Sequence, residues 1–356
     1  MTARSFRTFG VVALALSLSH CALVSGPSME GYVRKVPMGS ISARLLPANG
    51  KQLIIIGQHD DSADHEPVDF GPPGGVMMYT SLGPGKAALI EQDLQPGSGS
   101  AEARYPQSAI QIGLYVVNRL DDIAHGTQDQ FIDELIGVLA KSGRPIYIRF
   151  GYEFDGEWNH YSTEPYRTAW RYFRQHLTQS GATNIAMVWH SAASCGGTYQ
   201  GNQVEQWYPG DAEVDWIGIS WFAGDSCNYS RARYMGDFAR LHHKPLMIAE
   251  SAPKGYDLAT LQFSWGGKRF ESRSAGSIWS AWFEPYFDFI KTNADVVRAV
   301  AYINDDWQSG AVQPRFYWGN SRLDANASIA RHWRSEMNDR HWLRGGPDLM
   351  RELSVQ

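Results

Sequence analysis

The chain has 356 residues and a formal charge of −5 from 32 basic and 37 acidic side chains. That balance, with no basic run longer than a few residues, excludes the clustered positive surface that nucleic-acid binding requires. The length suits one large domain, since an α/β barrel takes roughly 250 residues before loop insertions. The 13 Trp and 17 Tyr fit both a large core and flat surfaces for stacking on sugar rings, so composition alone leaves those two uses open.

The N-terminus reads as an export signal. Arg4 and Arg7 give a positive start, and Val11 to Leu18 form an apolar run. That run is too short to span a bilayer as a helix, which takes about 20 residues, and matches a signal peptide over residues 1–21. Leu18-Ser19-His20-Cys21 resembles a bacterial lipoprotein cleavage box, with Cys21 as the lipidated residue. The expected destination is the periplasm or outer membrane through a lipid anchor, with plain secretion as the alternative. Residues 22–50 lead into the first strand.

Eight short apolar runs then follow at barrel-like intervals: Leu53–Gly57, Gly75–Ser81, Ala109–Val117, Ile146–Glu153, Ile185–Ser191, Trp216–Phe222, Leu246–Glu250 and Ala299–Asn304. Most are continuously hydrophobic, as parallel strands covered on both faces must be. Helical patterns lie between them. Thr127 and Gln130 read as a capping box ahead of Phe131, Leu135, Val138 and Leu139, and Gly143 with Pro145 ends that helix. A second helix begins near Thr163 and carries Tyr166, Ala169, Trp170, Phe173 and Leu177 on one side, stopping at Gly181. A third spans about 278–292. Strand and helix alternating eight times predict a single (β/α)₈ TIM barrel over residues 51–335. No G-x-G-x-x-G turn follows the first strand, which argues against a doubly wound nucleotide-binding sheet. Residues 336–356 read as a polar tail.

In such a barrel the chemistry sits at the C-terminal ends of the strands. The fourth run ends in Arg149-Phe150-Gly151-Tyr152-Glu153. Alternation puts Arg149 and Glu153 on the interior side and Ile148 and Phe150 toward the helices. The seventh run, Leu246-Met247-Ile248-Ala249-Glu250, also closes on a carboxylate. Two glutamates facing each other across a barrel mouth are the machinery of glycoside hydrolysis.

Arg149-Phe150-Gly151-Tyr152-Glu153-Phe154-Asp155-Gly156-Glu157-Trp158 resembles the strand-four motif of glycoside hydrolase family 26, the β-mannanase family of retaining barrel hydrolases. Lys244 to Glu250 resembles its strand-seven nucleophile region. The resemblance implies Glu153 as general acid/base, Glu250 as nucleophile and Trp158 as a wall of the sugar subsite. Two positions depart from the family. Tyr152 stands where a His usually precedes the acid/base, and Trp221 is the nearest counterpart of a Tyr that contacts the nucleophile. Both departures bear on specificity, so mannan, mixed-linkage glucan and xylan remain open as substrates.

The implied route is a covalent glycosyl-enzyme, with the carboxyls about 5–5.5 Å apart and Glu153 held protonated by partial burial. Tyr152, His190, Trp221, Tyr302, Asn304 and Trp307 are candidate substrate contacts, with Tyr79 and Tyr115 from earlier strands. Arg149 is a supporting residue and Asp155 a reserve acid. Cys195 and Cys227 suggest a disulfide in an exported protein. No ligand spacing accompanies His190 or the cysteines, so neither metal nor cofactor is expected. The partner expected is a poly- or oligosaccharide, bound by a monomer. A non-catalytic carbohydrate-binding barrel lipoprotein is the alternative reading.

Overall fold

The structure, a computed structural model, describes residues 41–194, 204–309 and 317–354. Its frame is eight parallel strands: β1 (Gln52–Gly57), β2 (Gly75–Ser81), β3 (Ala109–Tyr115), β4 (Ile146–Phe150), β5 (Ile185–Ser191), β6 (Trp216–Trp221), β7 (Leu246–Ser251) and β8 (Val297–Ile303). Each pairs with its neighbour in sequence order, and β8 pairs with β1, Leu53 opposite Ala299 through Gly57 opposite Ile303. The sheet therefore closes into the expected (β/α)₈ barrel. β1, β4, β5, β6, β7 and β8 are buried along their whole length. Walls covered on both faces account for the continuous apolar runs in the sequence.

Helices span Lys86–Asp93, Asp129–Lys141, Thr163–Gln179, Ser226–Leu241 and Ala327–Met337. The Thr163–Gln179 helix buries Tyr166, Ala169, Trp170, Phe173 and Leu177, the face anticipated from its periodicity. Phe150 packs on three of these rings, Tyr166, Trp170 and Phe173, at centroid separations of 6.2, 5.7 and 5.2 Å. That contact fixes the parity of β4: Phe150 points to the helices and Arg149 into the barrel.

Three local expectations change. The helix at Asp129–Lys141 has Gln128 at its N-cap and no capping side chain. Thr127 Oγ1 instead donates to the Asp122 carbonyl at 2.9 Å, and Gln130 pairs with Glu134 one turn on, so both members of the expected box are committed elsewhere. The stretch after 274 is an α-helix (Ala275–Ile278), a π-helical turn (Trp279–Phe283) and an α-helix (Glu284–Thr292). The polar tail proves partly structural. Trp342–Leu343 runs parallel to the start of β1, and a helix covers Leu349–Ser354. Trp342, Leu343, Leu349 and Leu353 are buried, because a few apolar residues spaced through a polar segment suffice to anchor it.

Between β7 and β8 lies a small antiparallel sheet, Tyr256–Asp257, Gln262–Phe263 and Glu271–Ser272. It rises from the C-terminal end of β7, the end where the two glutamates lie. No helix among the described residues is long and apolar enough to cross a membrane.

Candidate active site

The barrel interior near its C-terminal mouth is built from single residues on neighbouring strands. Tyr79 on β2 stands opposite Gly113 on β3, and Gly113 opposite Arg149 on β4. A Cβ on Gly113 would lie 2.5 Å from the Tyr79 ring and 3.1 Å from Arg149 Nη2. The glycine is thus what lets an aromatic ring and a guanidinium share one level of the barrel. His190 on β5 stands opposite Gly218 on β6, where a Cβ would meet His190 Cβ at 3.2 Å and Val188 at 2.9 Å. Two small residues on the inner face therefore make room for two large polar ones.

Glu250 reaches this level through an irregularity in the sheet. Ile219 pairs with Ile248, but Ser220 pairs with Glu250, so Ala249 is skipped on the β6 side. Such a bulge re-aims the side chains that follow it. The carbonyl of Ala249 is taken by Gln111 Nε2 at 3.1 Å. Glu250 Oε1 accepts from Tyr79 Oη at 2.7 Å and from Arg149 Nη1, which also forms an ion pair with it. Arg149 is fully buried and lies 5.1 Å from the Tyr79 ring centroid and 5.2 Å from that of Tyr152. Burial and the nearby Glu250 charge push the Tyr79 hydroxyl well above its ordinary pKa, which keeps it a donor. One Glu250 oxygen thus has two donors, one of them cationic, the stronger kind of hydrogen bond to a carboxylate.

Glu153 is placed by a different device. β4 ends at Phe150, and Gly151 and Glu153 both take left-handed backbone, each with φ of 52°. Glu153 is therefore off the strand, in a turn where alternation does not apply. A non-glycine residue in this region is uncommon and persists only where its surroundings hold it. Here Asn159 Nδ2 donates to the carbonyls of Tyr152 (3.0 Å) and Glu153 (2.8 Å). The Phe154 amide donates to the His190 carbonyl at 3.1 Å. Asp155 accepts from Ser191 Oγ at 2.6 Å and from the Ala192 amide at 2.7 Å, tying the loop to the end of β5. With both oxygens so engaged, Asp155 acts as a clamp on the loop that carries Glu153.

The Glu153 carboxyl is buried, and Oε1 accepts from Ser220 Oγ at 2.7 Å. Ser220 neighbours Glu250 across the β6–β7 ladder, so one serine stands beside both glutamates. Burial and then the Glu250 charge raise the Glu153 pKa well above the ordinary carboxylic-acid range. The two carboxyls thus have opposite surroundings, one rich in donors and one poor, the pattern by which acid and base roles separate.

The other expected contacts divide sharply. Tyr152 is half-buried, edge-on to Tyr79 at 5.6 Å, beside the carboxyl pair. Trp158 is 54% exposed, and Gly156 lets its ring fold back over the chain, since a Cβ there would lie 2.5 Å from it. Trp307 stacks on Trp318 at 4.7 Å, and Lys254 Nζ lies 4.3 Å from the Trp318 centroid. By contrast Trp221 is buried among Tyr229, Tyr286 and Phe289, on the helix-facing side of β6, because Ser220 takes the inward position. Tyr302 is buried against Trp282 and Trp333 and donates to the Ser321 carbonyl. Asn304 is buried between Ser62 and Leu323. His190 is fully buried with both ring nitrogens engaged by protein groups. These four offer no free surface to a ligand.

The contact to Glu250 expected near Trp221 comes instead from Tyr79, on β2 across the barrel from β6. Ser220 went unnoticed in the sequence. Its only signal is a small polar residue two places after Gly218 on an inward-facing row. Cys227 is disulfide-bonded; Cys195 and Cys21 lie outside the described residues. No cluster of His, Cys, Asp or Glu suited to a metal ion occurs among the described residues.

Two concavities open at the same end. One, about 340 Å³, is lined by Tyr79, Thr80, Ser81, Lys86, Asp93 and Tyr115 near the ends of β2 and β3. The other, about 360 Å³, is lined by Gly224, Asp225, Lys254, Tyr256, Phe263 and Trp265 beyond the ends of β6 and β7.

No family model matches the chain. Over 326 residues it is 35% identical to the β-1,3-xylanase TXYA of a Vibrio species, covering 88% of this chain and 70% of that one. It is 33% identical to a β-1,3-xylanase of an Alcaligenes species, covering 88% and 69%. Among solved structures it resembles the family 26 β-mannanase BoMan26A of Bacteroides ovatus, with a TM-score of 0.56 at 16% identity over 86% of this chain and 93% of that one. It also resembles a modular endo-β-1,4-mannanase of Cellulomonas fimi, with a TM-score of 0.55 at 17% identity over 83% and 72%. At those identities the solved structures speak to the fold alone, while the relatives speak to descent. The chain is a glycoside hydrolase and belongs to family 26.

Proposed function

We propose that the protein is a retaining endo-β-1,3-xylanase in which Glu153 is the acid/base and Glu250 the nucleophile. The observation that carries the roles is the contrast between the two carboxyls. Glu250 faces Arg149 and Tyr79 as donors, whereas Glu153 is desolvated, pushed up by the Glu250 charge, and retains its proton. Protonated Glu153 donates to the departing glycosidic oxygen while Glu250 attacks the anomeric carbon. Water then loses a proton to ionised Glu153 and opens the glycosyl ester with net retention.

The substrate follows from the relatives, both named β-1,3-xylanases. Endo action is supported by the concavities beyond β2–β3 and β6–β7, on opposite sides of an eight-stranded mouth. Such an arrangement suits a chain lying across the carboxyl pair, with Trp158, Tyr152 and Trp307 as stacking surfaces. We assign no metal or cofactor to the reaction. The leading segment is assigned to export, with Cys21 as the lipidation site, and Cys195 as the disulfide partner of Cys227.

The test measures reducing-sugar release from β-1,3-xylan, β-1,4-xylan, β-1,4-mannan and mixed-linkage glucan, with the anomeric configuration of the first product read by NMR. β-1,3-xylan cleaved with retention is expected. Glu250→Gln should lower kcat by on the order of 10⁴-fold or more while still binding polysaccharide. Equal turnover by wild type and Glu250→Gln would sink the roles. Binding by both with turnover by neither would make the barrel a carbohydrate-binding protein.

A further inference from the structure

Behind the two glutamates runs a chain of hydrogen bonds that the double-displacement chemistry does not by itself require. Arg149 Nη1, which holds Glu250, also lies 3.4 Å from His190 Nδ1. His190 Nε2 lies 3.0 Å from Ser220 Oγ, and Ser220 Oγ lies 2.7 Å from Glu153 Oε1. Arg149, His190, Ser220 and Glu250 come from β4, β5, β6 and β7, so the closed barrel itself sets their spacing.

The direction of every bond follows from the first. A guanidinium only donates, so His190 Nδ1 must accept. The imidazole then carries its single proton on Nε2 and is neutral, a state favoured by full burial and the adjacent guanidinium, which push its pKa well below the ordinary value. Nε2–H therefore donates to Ser220 Oγ. The serine, already accepting, turns its own O–H to Glu153 Oε1. That bond persists whether Glu153 is acid or carboxylate, because Oε1 accepts in both forms. Oε2 is left as the oxygen free to hold the proton.

We infer that Arg149, His190 and Ser220 form a one-way hydrogen-bond relay that positions the acid/base by fixing its transferable proton on Glu153 Oε2. The relay also links the acid/base to the nucleophile through a shared donor. While Glu250 is a carboxylate, Arg149 divides its donors between it and His190. When Glu250 becomes a neutral ester, the guanidinium's remaining charge acts on His190 and, through Ser220, on Glu153 at the step where that carboxyl must be ionised to receive a proton from water. No oxidant, reductant or further reactant is needed. One proton leaves Glu153 for the departing oxygen, and one returns from the attacking water. Ser220 and His190 are positioning residues, since neither loses its proton.

The inference rests on Glu153 being the acid/base, and the experiment separates the two ideas. The full chain is assayed as wild type, Glu153→Ala, Ser220→Ala, Ser220→Thr and His190→Phe. The substrates are β-1,3-xylan and a 2,4-dinitrophenyl glycoside of the same oligosaccharide, whose leaving group needs no acid. Ser220→Ala should lower kcat/KM on the polysaccharide by roughly 10- to 100-fold, and lower kcat/KM on the aryl substrate, which reports the first step without need of an acid, far less.

The ionisable groups that act on Glu153 are Glu250 on β7, Arg149 on β4, Asp155 in its own loop and Lys254 beyond β7, all unchanged by that substitution. Tyr152, the residue before it, is pushed up to about 12 by burial and then by Glu250, so it stays neutral across the assay range. Loss of the Ser220 donor favours the protonated carboxyl, so the alkaline limb of kcat should move to higher pH. His190→Phe should shift the limb the same way, and Ser220→Thr should return it toward wild type. An unmoved limb in Ser220→Ala, or equal losses of kcat/KM on both substrates, overturns the relay. If Glu153→Ala leaves the alkaline limb in place, the acid/base assignment itself falls.

Discussion

The two glutamates reach one mouth by unlike routes. Glu250 stays in its strand, re-aimed by the skipped pairing at Ala249, and is held by side chains: Arg149 and Tyr79. Glu153 has left its strand for a left-handed turn and is held mostly through its backbone and loop, by Asn159, the His190 carbonyl and the Asp155 clamp. The first arrangement surrounds a carboxyl with donors. The second withdraws a carboxyl from water with one donor and disfavours its charged form. The difference teaches that role is set by how the chain delivers the residue, since the residue type is the same.

After Glu250→Gln, removing the desolvated carboxyl is the largest break in that comparison. Glu153→Gln should lower kcat on polysaccharide by roughly 10²- to 10⁴-fold and abolish the alkaline limb that its ionisation produces. The same variant reads the cost of burying the group. The pKa of Glu153 is raised in the folded state. Its favourable contribution is therefore fully present below the unfolded carboxylate pKa of about 4.3 and lost as pH climbs through the folded value. Glu153→Gln should accordingly raise Tm at pH 8 relative to wild type and change it little at pH 4. A Tm gain of equal size at both pH values would show that the carboxyl is not held protonated.

On the donor-rich side the break should be smaller. Tyr79→Phe keeps the ring beside Gly113 and Arg149 but removes one of the two donors to Glu250. A hydrogen bond to a charged group contributes about 1.5–3 kcal/mol, so kcat should fall roughly 10- to 100-fold. The loss should appear on activated and natural leaving groups alike, because it weakens the nucleophile side. A loss confined to the polysaccharide would move Tyr79 to the acid/base side of the comparison.

The barrel was legible because fully buried parallel strands leave continuous apolar runs, and all eight lie within about three residues of their expected ends. The helix at Thr163–Gln179 was legible for a similar reason, since one buried face repeats with the helical period. What the pattern did not carry was conformation that breaks the pattern. β4 was expected to run to Glu153, yet Gly151 turns left-handed after Phe150. The skipped pairing at Ala249 decides which side of β7 faces Ser220, and one-dimensional alternation has no sign for it. Trp221 was assigned by family likeness, although parity with an inward Ser220 points it to the helices, where it lies. His190 stood out as a polar residue in an apolar strand, but its partners come from β4 and β6, and only barrel closure brings them together.

The smallest break tests whether the turn, rather than the carboxyl, is what holds Glu153 in place. Asn159 Nδ2 bridges the carbonyls of Tyr152 and Glu153, on either side of the peptide that leads into left-handed Glu153. Asn159→Ala removes the side-chain donor from both carbonyls, leaving that of Glu153 with the Gly156 amide at 2.8 Å, at about 1–2 kcal/mol of stability, read as a lower Tm. The turn would then relax toward ordinary backbone, moving the carboxyl away from Ser220. The kcat/KM on polysaccharide should fall several-fold and that on the activated substrate hardly at all, because Glu250 and its donors, which carry the first step there, are untouched. Should both substrates suffer equally, the loop supports the whole mouth rather than the acid/base alone. A Tm loss with no change in either activity would instead leave the carboxyl secured by Ser220 and the Asp155 clamp.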